Sequence, residues 1–224
     1  GMGSTEDRAW RAEESVWADP KKLTPELRKV IEHNNPCFRE LGMKPSAPGE
    51  LIVQDTCFIT RLRSGKVNLL IAVDAYCSYG FAELVSSKSS SMPAWTILES
   101  VLPLYAEHGV EVKSIMTDEG REFTAKRHSD YNETLTELGI EHIRPGLRSF
   151  HDNGHIARFR EAIIKEFFHG VLGGNRETSW SDFHDALNRW VFDYNHNRIH
   201  RGFPNMGKPP IDFITGHATR QMSN

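Results

Sequence analysis

Residues 50–86 read ELIVQDTCFITRLRSGKVNLLIAVDAYCSYGFAELVS, and they give the clearest indication of the fold. It contains three runs rich in branched aliphatic and aromatic residues, ELIVQDTCFIT, GKVNLLIAVDAY and GFAELVS, and each run predicts a β-strand. The connections between the runs are short and hairpin-like. Strands joined this closely pair in antiparallel fashion, because a parallel pair needs a long crossover. The stretch therefore predicts three consecutive antiparallel strands.

The chain downstream of this stretch alternates helical and strand patterns. A helix is predicted over residues 92–108, and VEVKSIMTDEG and IEHIRP each predict a short strand, with the helix DYNETLTELG between them. Residues 153–169 and 181–195 carry apolar side chains at three- and four-residue steps, which predicts two further amphipathic helices. Together these patterns predict an α/β fold with a mixed sheet flanked by helices. In the helix predicted over residues 92–108, the residues expected to face the core are Trp95, Leu98, Leu102 and Tyr105.

The composition is that of an ordinary folded protein of 224 residues, with 38% hydrophobic and 25% charged residues. No apolar run approaches the ~20 residues of a membrane span and no signal peptide is recognisable, so we expect a cytoplasmic protein with no membrane partner. The net charge of −3 does not by itself indicate nucleic-acid binding. From Glu141 onward, however, 11 Lys and Arg face nine Asp and Glu, and eight of the 11 histidines lie there. A local basic face and a merely solvated, histidine-rich surface explain this distribution equally well.

Changes in composition divide the chain into three parts. Residues 1–48 are polar, hold one short helix signal and end in the linker-like MKPSAPGE, so we interpret them as an arm or the remnant of a preceding module. Residues 49–200 form the expected core, and residues 201–224 a basic tail rich in Pro and Gly. The leading Gly1-Met2 resembles the scar of a removed tag. The three cysteines form no CxxC pair, and we expect reduced, partly buried thiols.

Two aspartates are the strongest candidates for chemistry. Asp55 lies inside a hydrophobic strand, where burying an isolated carboxylate is costly, and Asp118 follows the strand SIMT at its carboxyl end. Carboxylates on neighbouring strands could bind Mg²⁺ or Mn²⁺, which prefer oxygen ligands. The alternative is structural, with Asp55 satisfied within the sheet and Asp118 forming a turn. Asp74 is a third strand carboxylate, for which we favour a role at the strand end.

The order of several short motifs resembles the catalytic core of DDE transposases and retroviral-type integrases, most of all bacterial insertion-sequence transposases with an integrase core. The motifs run from LIVQDTCFI and VNLLIAVDAYCSYGFAELV through VKSIMTDEGREF and LGIEHIRP to DNGHIARFREAIIKEFF, FHDALNRWVFDYNHNRIHRGF and KPPIDFI. The resemblance implies an RNase H-like fold with a five-stranded mixed sheet, three antiparallel strands followed by two parallel ones. It also implies that Asp55 and Asp118 are catalytic and bind a pair of Mg²⁺ or Mn²⁺ ions. The implied activity is phosphoryl transfer in DNA end processing and strand transfer for a mobile element, in a bacterial cytoplasm and at the nucleoid.

The same resemblance implies a third carboxylate, and this chain departs from it. The family motif reads Asn-Gly-x-hydrophobic-Glu-Arg-Phe, and Ala157 stands at the position of the Glu. Three explanations stay open: the site is degenerate, another residue substitutes, or a Glu→Ala change was introduced into this chain. Glu161, one helical turn further on, is the candidate substitute, because helical side chains lean towards the N-terminus and the two positions differ by only ~40° around the helix. His155 is a weaker candidate, since imidazole suits Mn²⁺ better than Mg²⁺. Glu161 could equally form an ordinary helix pair with Lys165.

Basic and polar residues near this helix are candidates for contacts to DNA phosphates. The alternative is a helix face that is only solvated. A second polar cluster follows the last predicted helix, and for it capping and packing against the core is the alternative. Its members are Asn195, His196, Arg198, His200 and Arg201. The candidate nucleic-acid-binding residues are Arg144, Arg148, Asn153, His155, Arg158 and Lys165.

Two functional hypotheses result. In the first, the chain is a transposase or integrase core that processes or joins DNA ends, with its third metal ligand lost or supplied by Glu161. In the second, it is an inactive DNA-binding or dimerisation protein that retains the fold. The expected partners are DNA, both element ends and target, and further copies of the chain in a homodimer or higher oligomer. The DNA-end-binding module that normally precedes such a core is not recognisable in residues 1–48.

Overall fold

The computed structural model describes residues 11–12, 15–16, 20–34, 45–62, 65–86, 91–118, 120, 123, 130–144, 154–172, 179–202 and 204–221. Its centre is a five-stranded sheet with the strand order β3-β2-β1-β4-β5. β1 pairs with β2 and β2 with β3 in antiparallel fashion, whereas β1 pairs with β4 and β4 with β5 in parallel. This arrangement confirms the predicted mixed sheet. Strands β1 to β5 span Ile52–Leu62, Gly65–Asp74, Gly80–Val85, Ser114–Thr117 and Glu141–Ile143.

The predicted helices follow the strands in the predicted order, and one further helix, Ile211–Gln221, lies in the segment predicted as a tail. Two long helices contain a wider, π-helical turn, one at Ile97–Val101 and the other at Ile163–Phe168. A short 3₁₀ turn, Pro20–Lys22, precedes the first helix. Helix α1 spans Pro25–Asn34, α3 spans Asp130–Glu137, α5 spans Trp180–His196 and α6 spans Ile211–Gln221. Helix α2 consists of the consecutive segments Ser91–Thr96, Ile97–Val101 and Leu102–Glu107. Helix α4 consists of the consecutive segments Gly154–Ala162, Ile163–Phe168 and His169–Leu172.

The two faces of the sheet bury separate hydrophobic cores, because successive strand residues point to opposite faces. On β1, Val53 belongs to the core covered by α4 and α5, and its neighbour Ile52 to the core covered by α2, α3 and α6. On β4, Met116 and Ile115 divide in the same way. The molecule is therefore a three-layer structure of helices, sheet and helices.

Helix α4 buries the stripe that its sequence predicts. Ile156, Phe159, Ile163 and Phe167 are all at most 3% exposed. Phe159 lies so close to Gly80, the first residue of β3, that an added Cβ would come within 2.3 Å of its ring. The absence of a side chain at position 80 thus sets how near α4 approaches the sheet.

The inward face predicted for α2 is partly wrong. Trp95 and Leu98 are 49% and 41% exposed, while Ile97, Val101 and Tyr105 are fully buried. The π-helical turn Ile97–Val101 accounts for the difference, because it holds one more residue than an α-helical turn and shifts the buried face upstream by one position. Pro103 follows this turn, and its missing N–H explains why regular hydrogen bonding is interrupted there.

The terminal segments make contacts of their own. Ile31 of α1 packs with Val16 in a small separate cluster, and Ile214 of α6 is buried in the core beneath α2. The boundaries drawn at residues 48 and 200 stay predictions. Cys57 and Cys77 are free thiols, the first half-buried and the second buried, and Cys37 lies outside the described residues. None of the helices in the described ranges is long and apolar enough to cross a bilayer.

Candidate active site

Asp55 and Asp118 occupy corresponding positions on the two central parallel strands. The register pairs Val53 with Met116 and Gln54 with Thr117, so the next position on each strand is Asp55 and Asp118. Asp55 lies within β1, and Asp118 immediately follows the last residue of β4. The pairing of the strands therefore puts the two aspartates at neighbouring backbone positions, and their joint role stays a prediction.

Asp55 is buried and ion-paired. The residue is 7% exposed, and it points to the face covered by α4, as Val53 does. From that helix, Arg160 places Nη1 at 3.2 Å from Asp55 Oδ2. The arginine side chain is 39% exposed, so the pair is open to solvent on one side. A buried carboxylate needs such a partner, because unpaired burial of its charge is costly.

A chain of hydrogen bonds supports the segment that carries Asp118. Burial, with a smaller contribution from the charge of Arg144, lowers the pKa of His142 to about 4, so this imidazole is neutral at neutral pH. Its Nδ1 is hydrogen-bonded to Asn132 Oδ1 and its Nε2 to the Thr117 hydroxyl at 2.8 Å, and that hydroxyl donates to the Asp118 carbonyl at 3.0 Å. Asp118 Oδ1 in turn accepts the N–H of Gly120 at 2.9 Å. Strand β5 and helix α3 thereby fix the end of β4.

Position 157 carries no acid, and the nearest acid along the helix is turned outward. Ala157 is half-buried on the first segment of α4. The side chain of Glu161 is 57% exposed and forms a four-residue ion pair with Lys165. Among the residues that the structure describes, the ion pair of Glu161 is with Lys165 and not with Asp55 or Asp118, so its role as a substitute ligand stays a prediction.

The candidate DNA-binding residues lie along α4 and beside it. His155 is in the first turn of α4, with Nδ1 at 3.4 Å from Ser78 Oγ, and Arg158 is half-buried one turn further on. Lys165 and Arg144 are exposed, Arg144 directly after β5. Asn153 and Arg148 lie outside the described residues.

Asp74 has the strand-end role that the sequence favours. It is fully buried, and its carboxylate accepts the Tyr105 hydroxyl at 2.6 Å and the N–H of Gly49 at 2.8 Å. The N–H groups of Tyr76 and Cys77 complete its set of donors. Asp74 thus ties the turn after β2 to α2 and to the segment before β1.

The described residues do not fit a complete two-metal site. No group of three or more His, Cys, Asp or Glu side chains within the described ranges is placed to hold a metal ion. Asp55 and Asp118 remain as possible oxygen ligands, but Asp55 is already neutralised by Arg160 and position 157 supplies no ligand. The two-metal pattern implied by the sequence resemblance is therefore incomplete here.

Sequence reasoning missed Arg160 and His142. Arg160 lies three residues after Ala157, a spacing that places two residues on neighbouring positions of a helix surface, so its proximity to the site could have been anticipated. Its ion pair with Asp55 could not have been predicted, because that contact depends on how α4 crosses the sheet. His142 carried a weaker signal, namely a polar residue in a short strand next to β4.

Comparisons with solved structures find similar folds among retroviral integrases. A chain of the simian T-cell lymphotropic virus intasome in complex with PP2A regulatory subunit B56 gamma aligns with a TM-score of 0.61 at 17% identity, over 76% of this chain and 56% of that one. The HTLV-2 integrase catalytic core domain in complex with magnesium (trimeric form) gives 0.57 at 18% identity, over 75% and 97%. The BIV integrase catalytic core gives 0.55 at 19% identity, over 77% and 99%.

The likeness shows the fold: the five-stranded sheet and its helices form the RNase H-like fold of integrase cores. The chain spans just over half the length of the intasome chain and nearly all of the isolated cores. Neither protein-family models nor curated proteins show a match.

Proposed function

We propose that this chain is a DNA transposase or integrase core of the insertion-sequence type, a polynucleotidyl transferase fold whose substrates are DNA ends and target DNA. The observation that supports the proposal is the register of β1 with β4, which puts Asp55 and Asp118 at the next position of each strand near the centre of an integrase-type sheet. Asp55 is buried, which is costly for a carboxylate, and a site for phosphoryl transfer gives a reason to keep it. The solved HTLV-2 core, which has this fold, is in complex with magnesium.

In its present form the site is short of one acid, so we expect strand transfer to be weak or absent. Ala157 supplies no carboxylate, and Mg²⁺ is held by few protein ligands to begin with. The Arg160–Asp55 ion pair reduces the negative charge that remains. The chemistry that a metal pair would supply, activation of the attacking oxygen and stabilisation of the leaving one, therefore lacks part of its protein support.

DNA binding depends on different residues from catalysis. Arg158, His155 and Lys165 on α4, with Arg144 after β5, would contact phosphates on the side of the sheet that carries the aspartates. Such contacts position a duplex without reading its sequence. They weaken as the salt concentration rises, because the release of counterions from the DNA is then less favourable. Arg148 and Asn153 belong to the same proposal.

Joining two DNA ends also requires more than one copy of the chain, so we propose a homodimer or higher oligomer on DNA. The solved structures with a similar fold include dimeric and trimeric forms of the HTLV-2 core and a viral intasome. Those assemblies are properties of the viral proteins, and their relevance here rests on the shared fold.

A second candidate function is an inactive DNA-binding or dimerisation protein that retains the fold. Two observations favour it: the alanine at position 157 and the arginine that neutralises Asp55. Under this candidate, DNA binding survives removal of divalent metal and no strand is cut.

The two candidates are separated by measuring binding and cleavage on the same labelled duplex. Binding is followed by fluorescence anisotropy over a salt series with EDTA, and nicking or strand transfer with Mg²⁺ or Mn²⁺, for the unchanged chain, Ala157→Glu and Ala157→Glu with Asp118→Asn. The transferase is supported if the unchanged chain or Ala157→Glu cleaves the duplex and the double variant Ala157→Glu, Asp118→Asn does not. Binding without cleavage by any of them supports the second candidate. A chain that does not bind DNA at low salt contradicts the transferase and leaves, of the second candidate, only the dimerisation protein.

A further inference from the structure

The Arg160–Asp55 contact places a positive charge beside one oxygen of a carboxylate that a metal ion would also use. Nη1 of Arg160 is 3.2 Å from Asp55 Oδ2, and the carboxylate side chain is only 9% exposed. A buried carboxylate has few directions from which a cation can approach. The guanidinium takes one of them from the α4 side, the side to which Asp55 points.

The residues around this contact are matched to a guanidinium. Ala157 lies three residues before Arg160 and so borders it on the helix surface. A glutamate at position 157 would compete with Asp55 for Arg160, since oppositely charged residues three apart on a helix attract each other. With alanine there, the nearest acid on the helix is Glu161, and it is paired with Lys165. Arg160 is therefore left to Asp55.

Ala157 and Arg160 both make the site less negative than three free carboxylates would be. Three carboxylates attract a divalent cation much more strongly than two, and an arginine on one of the two lowers the attraction further. An arginine is never deprotonated in proteins, so this neutralisation is present at every physiological pH.

We propose that Arg160 is the resident cation of this site: its guanidinium holds the Asp55 carboxylate in the folded chain and competes with Mg²⁺ or Mn²⁺ for it. The protein then folds stably around its aspartate without divalent metal, and a metal ion binds only when Arg160 is displaced. This goes beyond the proposed function, because it concerns the chain alone and holds with or without activity on DNA.

The test is Mn²⁺ binding to the isolated chain, measured by titration calorimetry and by the loss of the free-Mn²⁺ electron paramagnetic resonance signal. Arg160→Met removes the charge and keeps an apolar stem. We expect the Mn²⁺ affinity to rise at least about tenfold, since a unit positive charge this close to a carboxylate strongly opposes a second cation. The unchanged chain is expected to show at most weak binding at millimolar Mn²⁺.

Arg198→Met is the matched control. Arg198 also forms an ion pair with a single carboxylate, Glu166, and its side chain is 40% exposed against 39% for Arg160. Its loss changes the net charge equally but leaves Asp55 paired, so the Mn²⁺ affinity should not change. Arg160→Lys, which keeps the charge, should also bind Mn²⁺ weakly.

Thermal unfolding gives an independent readout. Arg160→Met removes the cationic side of the ion pair with the buried Asp55, so the melting temperature should fall. Mn²⁺ should restore it, because a ligand that binds only the folded state stabilises that state. If Arg160→Met is too unstable to purify, Arg160→Gln keeps hydrogen-bonding capacity without charge and takes its place. An unchanged Mn²⁺ affinity in the charge-removed variant, or equal gains in Arg160→Met and Arg198→Met, overturns the proposal. Because no DNA is used, this outcome is independent of whether the DNA assays succeed.

Discussion

The side-chain amide of Asn195 pairs with both backbone groups of Gly80. Oδ1 of Asn195 accepts the N–H of Gly80 at 2.8 Å, and Nδ2 donates to its carbonyl at 2.7 Å. Asn195 is 2% exposed near the end of α5, and Gly80 begins β3. Helix α5 is thus joined to the start of β3 by two buried hydrogen bonds, so Asn195, the first residue of the predicted polar cluster, packs against the core.

Replacing Asn195 by alanine should destabilise the fold by about 2–4 kcal/mol, because a buried donor and a buried acceptor of Gly80 both lose their partner. The quantity to measure is the free energy of unfolding in urea. Asn197→Ala is the control, since its amide bonds to Asp193 on the exposed surface of the same helix. Equal effects of the two substitutions would show that the Gly80 pairing contributes nothing special.

Gly80→Ala should be destabilising for a separate reason. Its Cβ would meet the Phe159 ring at 2.3 Å, and this ring is fully buried, so α4 or the ring must shift. Overpacking of this kind costs about 1–3 kcal/mol. Gly216→Ala is the matched control, because nothing lies within 4 Å of its added Cβ and alanine favours the helix there. A Gly80→Ala protein as stable as the unchanged chain would contradict the close packing of α4 on β3.

The sheet could be predicted because its signals are local. Short connections dictate antiparallel pairing of β1, β2 and β3, and the apolar stripe of α4 is regular enough to identify its buried face. The buried face of α2 could not be predicted in the same way, since the π-helical turn at Ile97–Val101 shifts its phase and no simple periodicity reveals such a turn.

Asp74→Asn should destabilise the chain by about 2–4 kcal/mol, because an amide offers one acceptor oxygen to a site built from four donors. Those donors are the Tyr105 hydroxyl and the N–H groups of Gly49, Tyr76 and Cys77. Tyr105→Phe removes only one of them and should cost less. Urea unfolding of both variants checks this order, and a larger loss for Tyr105→Phe would refute it.

Glu161→Gln tests whether this residue replaces the missing ligand. Its side chain is 57% exposed and paired with Lys165, so we expect a loss of only about 0.2–0.5 kcal/mol in stability. Made together with Arg160→Met, it should leave Mn²⁺ affinity unchanged. Glu166→Gln, which removes the similarly exposed partner of Arg198, is the control. A selective drop in Mn²⁺ affinity with Glu161→Gln would establish Glu161 as the third ligand.

The candidate site was predictable only in part. The two aspartates could be found because acids are rare within strands, and the parallel pairing of β1 with β4 places them together. The role of Arg160 follows from tertiary structure, because the sequence gives its position on α4 but not the carboxylate that it reaches. Asp74 shows the converse: a buried strand acid can be purely structural when backbone donors surround it.

The last prediction concerns pH and rests on His200. Burial, followed by the charges of Arg198 and Arg158, lowers the pKa of His200 to about 4 from its usual value of 6.5. The imidazole packs edge-on against Tyr194 at 4.8 Å between ring centroids, and its Nε2 is buried with no hydrogen-bond partner among the described residues.

Below pH 6.5 the unfolded chain takes up a proton at this histidine and the folded chain does not. The stability that His200 contributes is therefore complete above pH 6.5 and is lost as the pH falls towards 4, by up to about 3 kcal/mol. His142, which is more exposed, adds a smaller loss in the same pH window.

His200→Phe keeps a ring against Tyr194 but cannot titrate. In urea unfolding at a series of pH values between 7.5 and 4, its free energy of unfolding should therefore decline clearly less than that of the unchanged chain. Parallel declines in the two proteins would mean that His200 does not couple folding to pH.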